Sequence, residues 1–94
     1  MSVATCPVCG FDLDFVPWRN HSASDEICPC CCIQFGYDDV PEGAGLRGTK
    51  EEIYKFWRER WISRGMPWDT LGHTNPPPDW NPREQLSSIG VILD

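Results

Sequence analysis

Two cysteine pairs with the same spacing constrain this chain more than any other feature. The sequence reads Cys6-Pro-Val-Cys9 near its beginning and Cys28-Pro-Cys-Cys31 after 18 intervening residues. A gap of two residues lets the backbone turn back, so that both sulfurs of a pair reach the same ion. Two such pairs at this separation are typical of zinc sites. We therefore predict that Cys6, Cys9, Cys28 and Cys31 bind one structural Zn²⁺.

The other two cysteines lie inside and directly after the second pair. Cys30 occupies the position that Val8 has in the first pair, and Cys32 stands where Gly10 stands. A pairing of Cys30 with Cys32 leaves one residue between them and closes a turn poorly. We expect both to be small, partly buried, inert thiols. The alternative is a reserve ligand or an oxidation-sensitive pair beside the metal.

Length and composition explain why such a chain needs a metal. Its 94 residues allow one domain with a thin core, and nine Pro and eight Gly favour irregular backbone. The first residues lack the pattern of a signal peptide, and no apolar stretch is long enough to cross a membrane. We therefore expect a cytoplasmic protein, in which clustered cysteines favour metal over disulfides.

The cysteine-containing part, residues 1–39, is predicted to be a metal-binding ribbon of short strands. Alternating apolar residues predict strands at 11–16 and 33–37, while the polar segment 17–26 and the Gly-rich segment 38–48 are predicted loops. The residues expected on the buried faces of the two strands are Phe11, Leu13, Phe15, Ile33, Phe35 and Tyr37.

The segment 49–65 predicts the main helix. Thr49 and Glu52 have the spacing of a capping box, and Gly65 suits the position after the helix end. The apolar residues Ile53, Trp57 and Trp61 follow at intervals of four, which gives the helix one apolar face.

The remaining residues, 66–94, predict an extended, proline-rich tail. Asn81 can cap a short helix near 82–88, with Pro82 at its first position. The predicted fold is thus a single small α+β domain over residues 1–94. Zinc-ribbon-like β-hairpins, stapled by the four-cysteine site, pack against one amphipathic helix and carry a C-terminal extension.

Charge and the lack of catalytic groups narrow the function. The formal net charge is −6, with eight Lys and Arg against 14 Asp and Glu, which disfavours nucleic-acid binding. Arg58, Arg60 and Arg64 could form a small basic patch on the helix, but acidic residues interleave with them. His21 and His73 are expected to face solvent. No nucleophile, base or open metal position is apparent, so we do not expect an enzyme.

The chain resembles a known family in four stretches. These are "CPVCG" at 6–10, "DEICPCC" at 25–31, "YDD" at 37–39 and "WNPREQL" at 80–86. With them the chain is similar to the small bacterial cysteine-rich CPCC family. The resemblance implies a compact zinc-ribbon-like domain, with Cys6, Cys9, Cys28 and Cys31 matching the family's metal-binding knuckles. Cys32 departs from the glycine expected at its position.

The hypothesis that follows is a non-enzymatic, zinc-stabilised protein-interaction module, with an immunity or antitoxin-like inhibitor as one form. A basic protein partner suits the acidic charge. The alternatives are a nucleic-acid-binding zinc ribbon and a zinc- or thiol-responsive sensor. Asp38 and Asp39 are also expected to cap backbone amides in a solvated turn. The oligomeric state is left open. The candidate partner surface consists of Trp18, Asp38, Asp39, Trp68 and Trp80.

Overall fold

Two small hairpins and two helices make up the regular structure of the described part of the chain. The computed structural model describes residues 3–40, 48–68 and 74–93. Most of the predicted loop 38–48 lies outside these ranges, and so does His73. This is the predicted small α+β architecture, with two antiparallel hairpins and one main helix. The elements are β1 (Ala4–Thr5), β2 (Asp12–Leu13), β3 (Trp18–Arg19), β4 (Ser22–Ala23), α1 (Lys50–Ser63) and α2 (Pro82–Ser87).

The first hairpin brackets the first cysteine pair. β1 and β2 are antiparallel, with Ala4 opposite Leu13 and Thr5 opposite Asp12. Leu13 is buried, whereas Phe11 and Phe15 are half-buried on the same side, so the predicted alternation of faces is present. The strand itself is shorter than the predicted 11–16, because the chain bends directly after Leu13.

The second hairpin lies where we predicted a polar loop, so that prediction is wrong. Within 17–26, Trp18 pairs with Ala23 and Arg19 pairs with Ser22. The turn between them includes Asn20, whose φ of 57° is in the left-handed region that asparagine tolerates better than most residues. The segment has no alternation of apolar and polar residues, so its sequence carries none of the usual strand signal.

The predicted strand at 33–37 is also wrong. Only Gln34 makes a β-bridge, with Ile27, and the chain then turns so that the amides of Tyr37 and Asp38 both donate to the Gln34 carbonyl. Phe35 is buried as expected, but Tyr37 is 55% exposed. The Asp38 carboxylate accepts a hydrogen bond from the Gln34 amide at 2.8 Å, which stabilises the turn in place of a ladder.

The main helix is confirmed. α1 begins after Thr49, whose side chain accepts from the Glu52 amide while the Glu52 carboxylate accepts from the Thr49 amide. This is the predicted capping box. Gly65 follows the helix end with a φ of 90°. The face of α1 that packs inward includes Ile53, Tyr54 and Trp61, which are buried, and Trp57, which is half-buried.

The predicted short helix is present, but the tail that carries it is not a free extension. Asn81 caps α2 by accepting from the amides of Arg83 at 3.0 Å and Glu84 at 3.2 Å. Leu86 is fully buried in the core beside the cysteines, and Ile89, Val91 and Leu93 pack against the same core. The tail therefore folds back onto its own chain. In the described part of the chain, no helix has the length and apolarity needed to cross a bilayer.

Candidate metal centre

The two cysteine pairs form turns of the same design, which we call the first and second knuckles (residues 6–10 and 28–32). In the first knuckle the Gly10 amide donates to the Cys6 carbonyl at 2.9 Å. The Cys6 amide in turn donates to the Phe11 carbonyl at 2.9 Å. These bonds hold the chain in a tight loop, and Gly10 completes it with a φ of 86°.

The second knuckle repeats this pattern residue by residue. The Cys32 amide donates to the Cys28 carbonyl at 3.0 Å, and the Cys28 amide donates to the Ile33 carbonyl at 2.9 Å. Cys32 also adopts the left-handed conformation, with a φ of 67°, although it has a side chain where the first knuckle has glycine. The sequence departure at this position therefore leaves the turn unchanged.

The knuckles face each other and bring four sulfurs together. The Sγ atoms of Cys6, Cys9, Cys28 and Cys31 all lie within 4.8 Å of one another. The shortest pairs join the two knuckles, with Cys6 to Cys31 at 3.8 Å and Cys9 to Cys28 at 3.7 Å. A tetrahedron of thiolates about 2.3 Å from a central Zn²⁺ has edges of about 3.8 Å. These four cysteines are not disulfide-bonded, and their arrangement fits a single metal ion.

The electrostatics of the cluster also favour a cation. Burial raises the pKa of the Cys9 thiol well above its usual range, and the thiols of Cys28 and Cys30 raise it further. The pKa of Cys31 is also raised, first by its hydrogen bond to Cys28. At Cys6 burial acts in the same direction, but hydrogen bonds from Cys28 and Cys31 outweigh it and lower the pKa. Four thiolates are therefore stable together only when a cation balances their charge.

Arg58 fixes the first knuckle to α1. Its Nε donates to the Val8 carbonyl at 2.8 Å, and its Nη2 donates to the Pro7 carbonyl at 2.6 Å. The guanidinium thus satisfies two carbonyls of the loop that carries the ligands. Arg58 was one of the three arginines of the predicted basic patch, but it is half-buried and used internally.

The short helix α2 closes the cluster from the side of the first knuckle. Gln85 Nε2 donates to the Cys9 carbonyl at 2.9 Å and contacts the Cys30 Sγ at 3.4 Å. The backbone of α2 comes so close to Gly10 that a Cβ there would lie 2.4 Å from the Gln85 carbonyl oxygen. Cys30 is fully buried and has a polar partner, in line with the expected inert thiol.

Solvent reaches the cluster unequally. Cys6, Cys9 and Cys28 are 0% exposed, whereas Cys31 is partly exposed. Cys31 lies on the wall of a cavity of about 170 Å³ between α1 and the second knuckle, which we call the Cys31 cavity. The residues lining it are Val8, Cys31, Cys32, Ile33, Asp38, Trp57, Arg60, Trp61 and Arg64.

Asp39, which we assigned to a solvated turn and to the candidate partner surface, is instead fully buried. Its carboxylate accepts three hydrogen bonds, each 2.7 Å long, from the Trp18 indole, the Tyr54 hydroxyl and the Gly36 amide. Burial, and then the Asp39 carboxylate, raise the pKa of Tyr54. Asp39 therefore ties the second hairpin, α1 and the turn at Gly36 together. The expected capping of backbone amides is present, but the Asp39 carboxylate is buried rather than solvated.

The remaining members of the candidate surface also make inward contacts. Trp18 is half-buried, with the Lys50 ammonium 3.7 Å from its ring centroid. Trp68 packs edge-on against Phe11 at 5.1 Å and against Trp80 at 5.3 Å, and this links the tail to the first knuckle. All five tryptophans are buried or half-buried. Among the described residues, the large exposed apolar side chains are others: Val3, Ile27, Tyr37, Phe56 and Ile92.

The sequence-based reasoning missed two supporting residues of the centre. Arg58 and Gln85 lie 50 or more positions from the knuckle residues they bind, and the sequence contains no local signal for either contact. Comparison with known proteins adds no relative, because no protein-family profile, curated protein or solved structure gives a match. Function is therefore inferred from the cysteine cluster and its surroundings.

Proposed function

We propose that the chain binds one Zn²⁺ through Cys6, Cys9, Cys28 and Cys31, and that this ion is structural. The observation that carries the proposal is the fit of the four Sγ atoms, all within 4.8 Å of one another, to one tetrahedral ion. Four thiolates fill the coordination of Zn²⁺ and leave no position for a water or substrate. The bound ion supplies the positive charge that four thiolates need.

Zinc suits this site better than a metal cluster. Thiolate donors select zinc or iron–sulfur clusters among the common metals. A cluster of several metal ions and sulfides needs room between the thiolates, whereas the pairs here are only 3.7 and 3.8 Å apart. The resemblance to the CPCC family, whose metal-binding knuckles match the two knuckles here, points to the same metal and to a zinc-ribbon-like domain.

The role of the ion follows from the size of the domain. Structural zinc contributes about 10–16 kcal/mol of apparent binding free energy at neutral pH, which is comparable with the whole stability of a small domain. The strands here have two residues each and cannot hold the hairpins together alone. The metal would therefore hold the two knuckles together and, through Gln85, keep α2 in place.

A titration with Co²⁺ tests the metal site, because cobalt bound to thiolates has a characteristic charge-transfer absorption. We expect saturation at one equivalent and full displacement by one equivalent of Zn²⁺. Cys31→Ser should weaken binding, whereas Cys32→Ser should not, since Cys32 is outside the four-sulfur cluster. Equal losses in these neighbouring variants would contradict the ligand assignment.

We further propose that the zinc-stabilised domain is a non-enzymatic module that binds a protein partner. Support comes from Ile27 and Tyr37, which are 43% and 55% exposed and both adjoin Gln34, one through a β-bridge and one through a hydrogen bond. This pair replaces the tryptophan surface suggested by the sequence. The net charge of −6 favours a basic partner, and an antitoxin-like inhibitor is one protein of this kind.

Site-specific photo-crosslinking tests this partner surface. A photoreactive residue at position 37 should give a discrete protein adduct in cells, and Ile27→Glu should abolish it. The same photoreactive residue at position 56 is the control, because Phe56 is 44% exposed but lies on α1. Adducts of equal yield at both positions, or none at position 37, would contradict this surface.

A further inference from the structure

The four proposed ligands differ in how a molecule from solution can reach them. Three are fully enclosed, while Cys31 is partly exposed and lines the Cys31 cavity. On the opposite side, α2 covers the first knuckle through the bonds from Gln85 to Cys9 and Cys30. A second cavity beside α2 has no cysteine in its lining. Of these two cavities, the one lined by Cys31 is therefore the one that reaches a proposed ligand.

Two positively charged side chains also line this cavity. Arg60 lies in the last turn of α1 and Arg64 caps the C-terminal end of this helix. The Arg60 guanidinium lies 5.6 Å from the centroid of the Trp57 ring. Neither arginine has a carboxylate within ion-pair distance among residues 3–40, 48–68 and 74–93. Asp38 also lines the cavity, so its negative charge partly offsets the two positive charges, and its Oδ2 accepts from the Gln34 amide. A chain with a net charge of −6 thus presents unpaired cations at this opening.

The volume and the charge of the Cys31 cavity together define which ligands it can bind. At about 170 Å³ it is smaller than the pockets of roughly 300–1,000 Å³ that hold cofactors or drug-sized ligands. It has room for one small group. Guanidinium groups bind carboxylates with paired, charge-assisted hydrogen bonds, and the indole and aliphatic walls accept an uncharged stem. A short thiol that carries a carboxylate combines both features with a group that binds zinc.

We propose that the Cys31 cavity is the entry at which small carboxylate-bearing thiols exchange the metal ion. The inference rests on the zinc site proposed above. The carboxylate is held by Arg60 and Arg64, which places the thiolate sulfur next to Cys31. In the zinc-loaded chain the incoming thiolate would take the place of the Cys31 sulfur among the four thiolate donors. Cys31 leaves as a thiolate and takes a proton from solvent, so no electrons are transferred. Repetition of this step removes the ion, and its reverse loads it.

A simpler role for the two arginines is to complement the dipole at the C-terminal end of α1, where cations are favourable. That role predicts a change in helix stability and no selectivity among incoming thiols. Selectivity is therefore the property to measure. It should belong to the arginines at the cavity and not to positive charge elsewhere on the chain.

The test uses the zinc-loaded chain and two thiols of similar size, thioglycolate and 2-mercaptoethanol, of which only the first carries a carboxylate. A zinc indicator in fixed excess reports the rate of release at each thiol concentration. In Arg60→Gln/Arg64→Gln we expect the thioglycolate-dependent rate to fall at least about fivefold, while the 2-mercaptoethanol rate changes less than about twofold. The control Lys55→Gln/Arg83→Gln removes the same charge from exposed positions and should change either rate less than about twofold.

A second measurement tests the route independently of charge. Cys32 also lines the cavity, so the Cys32→Gly variant is used to leave Cys31 as the exposed thiol of the second knuckle. Under limiting iodoacetamide, the zinc-loaded variant should be alkylated at Cys31 before Cys6, Cys9 or Cys28. Earlier alkylation of any of these three overturns the assigned route.

Two further outcomes overturn the role of the arginines. One is a cavity variant in which zinc release by both thiols slows equally. The other is a control variant in which release by thioglycolate slows as much as in the cavity variant. Native mass spectrometry at the start of each run separates these failures from failure of the zinc proposal. A chain that carries no zinc contradicts the proposed function itself and removes the basis of this inference.

Discussion

Gly10 and Cys32 occupy equivalent positions in the two knuckles and share the left-handed backbone conformation, with φ angles of 86° and 67°. Each amide donates to the carbonyl of the residue four positions earlier, the first cysteine of its knuckle. The turn therefore dictates the conformation, whatever the residue. A non-glycine residue in this region costs about 1–2 kcal/mol, so the second knuckle is strained at Cys32.

The strain at Cys32 predicts an unusual result for its substitution. Cys32→Gly should be at least as stable as the parent chain, whereas Cys32→Ala, which keeps a Cβ, should be about 1 kcal/mol less stable than Cys32→Gly. Both variants should bind one zinc ion. Urea unfolding of the zinc-loaded proteins measures the difference. Loss of zinc from either variant would show that Cys32 is a ligand and would contradict the assignment.

Gly10 is constrained by the neighbouring backbone of α2 as well as by its own φ angle. In Gly10→Ala the new Cβ would lie 2.4 Å from the Gln85 carbonyl oxygen, so α2 must move. Gly90→Ala is the matched control, since Gly90 has a φ of 83° but no atom within 4 Å of the added Cβ. We expect Gly10→Ala to lower the free energy of unfolding by about 1–3 kcal/mol more than Gly90→Ala. Equal losses in urea unfolding would mean that backbone strain alone accounts for Gly10.

Arg58 should be more important than its place on the helix surface suggests. Arg58→Gln removes the bonds of 2.8 and 2.6 Å to the Val8 and Pro7 carbonyls. We expect a loss of about 1–3 kcal/mol in thermal or urea unfolding. Lys55→Gln removes a cation whose side chain is 72% exposed and pairs only with Glu59 at 4.0 Å, and it should cost less than about 1 kcal/mol. If both variants lose the same stability, the carbonyl contacts contribute nothing.

The buried pair of Tyr54 and Asp39 predicts a loss of stability at alkaline pH. Burial and then the Asp39 carboxylate raise the pKa of Tyr54 in the folded chain, so the folded state keeps this proton at a pH where the unfolded state releases it. The stability that this pair contributes is fully present below the pKa of about 10 that tyrosine has in the unfolded chain. It is lost as the pH rises above that value. Urea unfolding of the zinc-loaded protein across this range measures the decline.

The two tyrosines allow a direct comparison. Tyr54→Phe should remove the tyrosine-dependent part of the alkaline decline, while Tyr37→Phe should leave it in place, because Tyr37 is 55% exposed. The Tyr54 variant should also be less stable near neutral pH, since Asp39 loses one of its three donors. An unchanged alkaline decline in Tyr54→Phe would contradict this origin.

The parts of the fold that sequence predicts are those with local causes. Thr49 and Glu52 cap α1 three residues apart, and Asn81 caps α2, so both helix starts could be located within the sequence. The same holds for the cysteine pairs, whose spacing of two residues produces each knuckle. Each pair supplies two ligands and a tetrahedral site needs four, so the sequence also predicts that the two pairs meet at one ion.

The parts that sequence failed to predict depend on distant contacts or on polar pairing. The hairpin that pairs Trp18 with Ala23 consists mostly of polar residues with no alternation. The supposed strand at 33–37 has alternation, but a carboxylate that accepts from the Gln34 amide stabilises a turn there instead. The burial of Asp39 depends on Trp18 and Tyr54, which are 21 and 15 positions away. An acidic pair in a turn is usually solvated, and only the fold supplies three donors to this one.

The most direct test of the central claim is a native mass spectrum of the chain purified without added metal, followed by alkylation of the same sample under native conditions. The structure predicts the mass of one zinc ion, no disulfide mass loss, and protection of Cys6, Cys9 and Cys28, with modification first at Cys31 or Cys32. Removal of the ion by chelation should expose all four ligands and unfold the knuckles. A folded chain without metal, or with disulfide-linked cysteine pairs, would contradict the claim that zinc holds the two knuckles together.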